Sequence, residues 1–283
     1  MDTTASTVIF RHQSDIHVGI QTVDYDRPAI GYIEQGTKLI HLADRYVTVR
    51  AGELFHLDRG THYVENTPAD PAHPFRQTLF FYTPSDLRND FTPPQTVASA
   101  NRLCAQCRNR TDIYTYPAWP VIEEFFHSVH RFVSARLHLS HPELSHLKLC
   151  ELLQLLLTQP GCCVCRPVCQ AVSNGPRTID EVVRDNVLTD IALSELASLC
   201  GMSLSSFKNA FYRRFHTSPH KWLIEQRLVR ARLQLISTSK SVSEIAHACR
   251  FNNVSHFIRL FRERFGTTPA AYRLHYSDGR ADV

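Results

Sequence analysis

The 283-residue sequence predicts a multidomain protein. It has an N-terminal β-barrel or jelly roll with two following helices, then an all-α domain of two helix-turn-helix units joined by a long helix. Three observations predict this. Short β-branched and aromatic runs alternate with turn residues only before about Thr83. A repeat with a period of 49–50 residues occupies the C-terminal third. The formal charge of +4 divides into −2 over residues 1–175 and +6 over residues 176–283, where 16 Lys and Arg face 10 Asp and Glu. At roughly 150 residues per domain the length fits two cores. A composition 43% hydrophobic and 20% charged argues against disordered and fibrous classes.

From about Thr7 to Thr83, the runs His17 to Val23, Ala29 to Ile33, Lys38 to Leu42, Tyr46 to Val49, Leu54 to Leu57 and Thr78 to Tyr82 read as strands. Asp26-Arg27-Pro28, Gln35-Gly36-Thr37, Ala51-Gly52 and Arg59-Gly60 supply the turns between them. About eight short strands with no helical period predict a small barrel or a double-sheet jelly roll. Residues 84–118, with Pro84, Pro93, Pro94 and Pro117, are expected to wrap it irregularly. A helix from about Pro120 to His138 carries Val121, Phe125, Val129, Phe132 and Val133 on one side. A second, from about Pro142 to Gln159, carries Leu147, Leu149, Leu152, Leu153, Leu156 and Leu157. Such stripes must pack on the barrel or on a second subunit. The Cys, Pro and Gly residues between Pro160 and Pro176 read as a linker, which places domains at 1–165 and 177–283 with the linker at 166–176. The best apolar run, Leu149 to Leu157, is broken by Glu151 and Gln154 and falls short of the ~18 residues a membrane helix needs. Met1-Asp2-Thr3-Thr4 lacks the basic start of a signal peptide, so a cytoplasmic protein without membrane contact is expected.

In the repeat, Ser194-Glu195-Leu196-Ala197 matches Ser243-Glu244-Ile245-Ala246, and Cys200 matches Cys249. After one inserted residue, Phe207, Phe211, Phe215, Pro219 and Trp222 match Phe257, Phe261, Phe265, Pro269 and Tyr272. Each copy opens on Ser-Glu, the expected N-cap with a first-turn acid. A tight turn follows, and then a helix whose phenylalanines at i, i+4 and i+8 form one buried stripe. Helix, turn, helix is the unit whose second member enters a DNA major groove. A purely structural bundle would need neither the duplication nor the basic charge.

These residues resemble the DNA-binding domain of the AraC/XylS family of bacterial transcription regulators. The resemblance rests on Leu193-Ser194-Glu195-Leu196-Ala197, Phe207-Lys208-Asn209-Ala210-Phe211, Arg214-Phe215, Ser218-Pro219, Arg227-Leu228-Val229-Arg230-Ala231, Ile245-Ala246, Phe257, Phe261 and Thr268-Pro269-Ala270-Ala271-Tyr272-Arg273. The N-terminal strands are similar in pattern to the cupin-type regulatory domain of that family. Val47 to Tyr63, with Phe80-Phe81-Tyr82, is similar to its regulators of type III secretion. The resemblance implies a dimeric transcription activator that binds double-stranded DNA and RNA polymerase, needs no cofactor, and answers to a small-molecule or protein effector. One departure stands out. Arg250 occupies the turn where the family commonly has glycine, a residue that takes positive φ at a helix C-cap without strain.

On the first reading helix, Ser205, Lys208, Asn209 and Tyr212 share a face away from the phenylalanines; shifted by 50, the second helix offers Ser255, Ile258, Arg259 and Arg262, with His256 beside them. Asn209 suits an adenine edge, Lys208 and Arg259 a guanine, Ile258 a thymine methyl, and Arg262 a phosphate; each base pairing is worth roughly 1–3 kcal/mol of discrimination. Phosphate contact is the competing role for any of these, because half or more of protein–DNA hydrogen bonds go to the backbone. A helix from about Pro219 to Ile236, with Arg227, Arg230 and Arg232 on its flanks, would hold the reading helices about one DNA turn (~34 Å) apart.

Other chemistry is less well supported. Cys150, Cys200 and Cys249 lie on apolar faces and read as core. Cys104-x2-Cys107, set against Cys162, Cys163, Cys165 and Cys169, is a weak zinc or redox candidate, with Cys104, Cys107, Cys162 and Cys165 as the ligand set. A zinc-cysteine methyl acceptor of DNA repair is opposed by the ~100 residues of strands that come first. A cupin oxygenase would need a His-x-His pair, and His41, His56 and His62 form none. No catalytic residues are expected, and the protein is not read as an enzyme. Tyr32, Phe55, Tyr63, Phe80 and Tyr82 are the candidates for an effector pocket in the barrel mouth.

Overall fold

In the computed structural model the described residues are 8–42, 45–83, 113–159, 161–172, 179, 182–183, 186–189 and 191–277. The chain divides into two compact units. Met1–Gly19, Val23–His41 and Tyr46–Gly175 form the first, and Ile20–Thr22, Leu42–Arg45 and Pro176–Val283 the second.

The strands are β1 (Ile9–Ser14), β2 (Gln21–Tyr25), β3 (Ala29–Gln35), β4 (Thr37–His41), β5 (Tyr46–Arg50), β6 (Glu53–Leu57), β7 (Gly60–Thr67), β8 (Phe75–Phe81) and β9 (Tyr114–Pro117). They form two sheets, ordered β1-β8-β3-β6-β9 and β2-β7-β4-β5. Of the two expected forms, barrel or double-sheet jelly roll, the strands take the double sheet, and the two sheets do not close. β1 and β9 are the edges of the larger sheet. Polar Arg11, His12 and Gln13 hid β1 from periodicity, and β9 lies within the stretch expected to be irregular. Pro117 ends β9, where a residue without an N–H is tolerated because the strand is at an edge.

Ala29 to Ile33 are buried without alternation because β3 is covered on both faces. On one face Ile30 and Tyr32, with Ile9, Leu54 and Phe80, join the core of the helices that follow. On the other, the Phe55 ring lies across its cross-strand partner Gly31 so closely that a Cβ there would sit 2.1 Å from Phe55 Cζ. Also between the sheets is Lys38, fully buried. Its Nζ donates to Asn66 Oδ1 at 3.0 Å and stands 5.8 Å from the ring centres of Phe55 and Phe75. Burial pushes its pKa down to about 7.

α1 (Pro120–Ser134), α2 (Leu137–Ser140), α3 (Pro142–Thr158) and α4 (Cys165–Val172) complete this unit. The expected helix to His138 is broken where Arg136 adopts φ 57. The stripe is also rotated: Ile122, Phe125, Phe126 and Val129 are buried, while Val121 is exposed. Likewise Leu149, Leu152, Leu153 and Leu156 are buried on α3, but Leu147 is exposed. The expected linker at 166–176 is corrected over 166–172. These residues are helical, and Val168 and Cys169 join the same core as Tyr32 and Phe126. The apolar side chains between the cysteines form a helix face, which the Pro and Gly content obscured.

The second unit contains α5 (Leu193–Leu199), α6 (Leu204–Phe215), α7 (Pro219–Ser237), α8 (Val242–Ala248), α9 (Val254–Phe265) and α10 (Pro269–Ser277). It has two cores, one for each repeat. Val182, Val183, Leu196, Ala197, Cys200, Phe207 and Phe211 build the first; Leu228, Ala231, Leu235, Ile245, Ala246, Cys249, Phe251, Phe257 and Phe261 build the second. Cys200 and Cys249 are core residues, and burial pushes the Cys249 thiol up to about 12.

Candidate nucleic-acid interface

Each copy is a short helix, a turn and a longer helix. The helix starts differ from expectation. α5 and α8 are capped at Ala192 and Ser241, so Ser194 and Ser243 lie inside the first turn. The glutamates keep their role by bonding back: Glu195 Oε2 accepts from Ala192 N at 3.2 Å, and Glu244 Oε2 from Ser241 N at 2.7 Å. Hydrogen bonds from Ser241 hold the Glu244 carboxyl below its ordinary pKa. Ser203 caps α6, its Oγ accepting from Ser206 N, and Asn253 caps α9, its Oδ1 accepting from His256 N.

The turns repeat in backbone as well as sequence. Gly201 (φ 65) corresponds to Arg250 (φ 63), and His216 (φ 54) to Gly266 (φ 77). Both copies thus need the left-handed conformation twice, and each supplies glycine only once. Arg250 accepts the strain and forms the same turn, with its N–H on His247 O at 2.9 Å.

The phenylalanine stripes fix which faces of α6 and α9 point outward. Phe207 and Phe211, and likewise Phe257 and Phe261, are fully buried. Ser205, Lys208, Asn209 and Tyr212 are exposed on α6, and Ser255, His256, Arg259 and Arg262 on α9. Ile258 is half-buried and packs on the second core as well as facing outward. On α9 an open groove of about 550 Å³ is lined by Ser255, Ile258, Arg259, Arg262, Glu263 and Thr268. His256 is not among these lining residues. Glu263 was not anticipated. Its Oε1 accepts from Arg259 Nη1 at 2.9 Å, aiming the guanidinium along the helix. The i, i+4 spacing of opposite charges was the available signal.

The arginines of α7, which is ~28 Å long at 1.5 Å per residue, do different work from that expected of basic flanks. Arg227 bonds to backbone carbonyls of residues 187 and 189, and Arg232 lies 5.5 Å over the Phe265 ring. Ser218 caps α7 through Lys221 N, and Pro219 fills the first turn, where a missing N–H costs nothing.

Three of the effector candidates share one core and two lie elsewhere. Tyr32, stacked on Phe126 at 4.3 Å, lies on the helix-packed face with Phe80 and Tyr82; Phe55 lies between the sheets, and Tyr63 on β7 opposite His41. All five are buried, so no common mouth forms from them. The three histidines also diverge. His41 pairs with Glu65, buried His56 Nε2 meets Tyr82 OH at 2.7 Å, and His62 meets Asp58 O. Among the zinc candidates, Cys104 and Cys107 lie outside the described residues, while Cys162 and Cys165 are buried in the helical core. Among the described residues no group of three or more His, Cys, Asp or Glu side chains could hold a metal ion. Among them, too, no helix is long and apolar enough to cross a membrane.

A double-sheet domain followed by two repeated helix-turn-helix units, each presenting a polar outer face, defines the class of tandem helix-turn-helix proteins with an added N-terminal domain. Residues 196–275 match the family model of a helix-turn-helix domain, and residues 28–161 that of the ExsA N-terminal regulatory domain. Both parts of the chain thus resemble the AraC/XylS family of transcriptional regulators, each through its own family model. It is similar to the transcriptional activator NphR of Rhodococcus sp, 38% identical over 101 residues that cover 36% of this chain and 29% of NphR. It is similar also to the HTH-type transcriptional regulator ExsA of Pseudomonas aeruginosa, 31% identical over 147 residues that cover 51% of this chain and 52% of ExsA. The match thus spans about half the length of ExsA and under a third of NphR. Among solved structures, the DNA-binding domain of AdpA in complex with a target DNA is 30% identical; the match covers 39% of this chain and 100% of that one, at a TM-score of 0.35.

Proposed function

We propose that this protein is a sequence-specific regulator of transcription that reads two adjacent major-groove segments per monomer. The observation that carries this reading is the pair of equivalent outer faces. Ser205, Lys208, Asn209 and Tyr212 on α6, and Ser255, His256, Ile258, Arg259 and Arg262 on α9, stand opposite buried phenylalanine stripes. The relatives named as transcriptional activators favour activation, with RNA polymerase as the protein partner. Arg259 is the guanine reader, because it lines the α9 groove and its fork matches a guanine edge. Arg259→Ala is expected to relax preference at one base position, by roughly 1–3 kcal/mol, in a selection from random duplexes. Uniform weakening of all sequences with a shallower salt dependence would instead make Arg259 a phosphate contact.

Control belongs to the N-terminal unit, whose matching model is named as a regulatory domain. A ligand or partner protein that binds only its native state would raise its melting temperature, so a thermal-shift screen finds the effector. The seam of a homodimer is the outer side of α1 to α3. Leu137, Leu139, Leu144 and Leu147 are exposed there, and Phe132, Leu137, Leu144 and Leu147 line a groove edged by Lys148 and Glu151. Leu147→Arg is expected to convert dimers to monomers in sedimentation while each monomer stays folded, since Leu147 is outside the core. A variant that sediments as the parent does would move the seam elsewhere.

A further inference from the structure

The two helix-turn-helix units bury separate cores joined by α7, which packs Trp222 and Leu223 on the first and Leu228, Ala231 and Leu235 on the second. Side-chain bonds add to this helix in setting the angle between the outer faces. Residues 186–189 belong to the first helix-turn-helix unit. Val182 and Val183, just before them, lie in the core of Phe207 and Phe211, and α5 begins soon after. Three successive carbonyls of this segment are bonded to guanidinium groups. Arg227, near the middle of α7, donates Nε to Val187 O at 2.9 Å and Nη2 to Thr189 O at 3.1 Å. Arg250, at the turn of the second unit, donates Nε to Leu188 O at 2.8 Å. Arg227 Nη1 also donates to the carbonyl of Arg250 at 3.4 Å. Connector, first unit and second-unit turn therefore meet at one small cluster.

Arg250 reaches this cluster from φ 63, where its repeat partner is Gly201. A left-handed arginine costs roughly 1–2 kcal/mol that glycine would avoid, yet glycine has no side chain to reach Leu188. Strain that persists at one position, coupled to a contact only that side chain can make, is the mark of a functional constraint. We propose that Arg227 and Arg250 form a clamp that holds the two reading helices in fixed phase, so that the spacing between the two DNA segments is itself recognised. This clamp presupposes the DNA-reading function above. Both residues are positioning residues whose guanidiniums are spent on backbone carbonyls. Lysine at 227 would keep the charge but, as a point donor, cannot span two carbonyls as the planar fork does.

One base pair inserted between the segments rotates one of them by about 34–36° relative to the other. A clamped protein cannot follow that rotation, and an unclamped one can. The full-length protein, Arg227→Lys and Arg250→Gly are compared on three duplexes: the selected site, the same site with one inserted base pair, and a site with a single segment. Arg250→Gly keeps the turn unstrained and Arg227→Lys keeps the charge, which protects folding in both. The parent is expected to lose at least about tenfold on the insertion, and the variants less than about threefold, with single-segment binding within about twofold of the parent. Variants that discriminate as the parent does, or a parent indifferent to the insertion, overturn the clamp. So does a common loss on all three duplexes with a shallower salt slope, which marks phosphate contacts. A parent that selects no sequence overturns the DNA-reading function instead. The clamp is then tested by urea unfolding of the proteins carrying Trp119→Phe, followed through Trp222 fluorescence for the first helix-turn-helix unit and amide exchange of α9 for the second. Coincident transitions in the parent that separate in the variants support it; transitions that coincide in all three proteins, or are already separate in the parent, overturn it.

Discussion

Replacing Lys38 by methionine is expected to stabilise the N-terminal unit at neutral pH and to abolish most of its pH dependence above neutrality. The native pKa of about 7 lies below the unfolded value of about 10.5, because burial opposes the charged form. Between those values the unfolded chain binds more protons than the native one, so stability rises with pH and the rise is complete above 10.5. Below about 7 both states carry the proton, and the whole penalty is present. Each tenfold change in proton affinity is worth about 1.4 kcal/mol, which makes the penalty several kcal/mol. Methionine removes it while filling similar volume, but leaves Asn66 Oδ1 without its donor, at a cost of about 1–3 kcal/mol. The net gain at pH 7 should be about 2 kcal/mol, shrinking as the pH rises towards 10. His12, whose pKa is lowered by burial and then by Lys38, adds a smaller loss on the acid side. Urea unfolding of parent and variant at pH 6, 8 and 10 checks this. A variant less stable than the parent at pH 7 would mean that Asn66 and the two aromatic faces outweigh desolvation.

Phe257→Ala should unfold the second helix-turn-helix unit while the first stays folded. Phe257 is fully buried, with ring centres 5.0 Å from Phe251 and 5.6 Å from Phe261, and its truncation costs roughly 3–5 kcal/mol. No residue of its core is shared with the core of Phe207 and Phe211. Protection of DNA from cleavage should therefore shrink to the segment read by α6, with specific affinity falling at least about a hundredfold. Phe207→Ala should leave the complementary segment protected. Full-length protection by either variant would show that the two cores do not support separate readers.

The reading face was legible because it rests on local periodicity. Phenylalanines four residues apart on a helix define the inside, and the outside then follows for Lys208, Asn209, Arg259 and Arg262. The sheet domain was legible only as a set of strands. Ala29 to Ile33 carries no alternation because helices cover one face and the second sheet the other, and β1 is polar in sequence because it is an edge. The aromatic candidates divided for the same reason. Tyr32, Phe55 and Tyr63 lie on different faces, and facing is a property of sheet pairing rather than of residue type.

By itself the sequence determined the duplication, the charge split and the outer faces of the reading helices, because each depends on spacing within 4 to 50 residues. The tertiary structure alone decided which arginines bond to the protein's own backbone. Arg250 stood out in the sequence only for its place at a turn and Arg227 only as a helix flank, yet they bond to carbonyls 62 and 40 residues away. A backbone carbonyl has no sequence signature, so only folding could reveal that part of the positive charge in the DNA-reading half is bonded to the protein's own backbone.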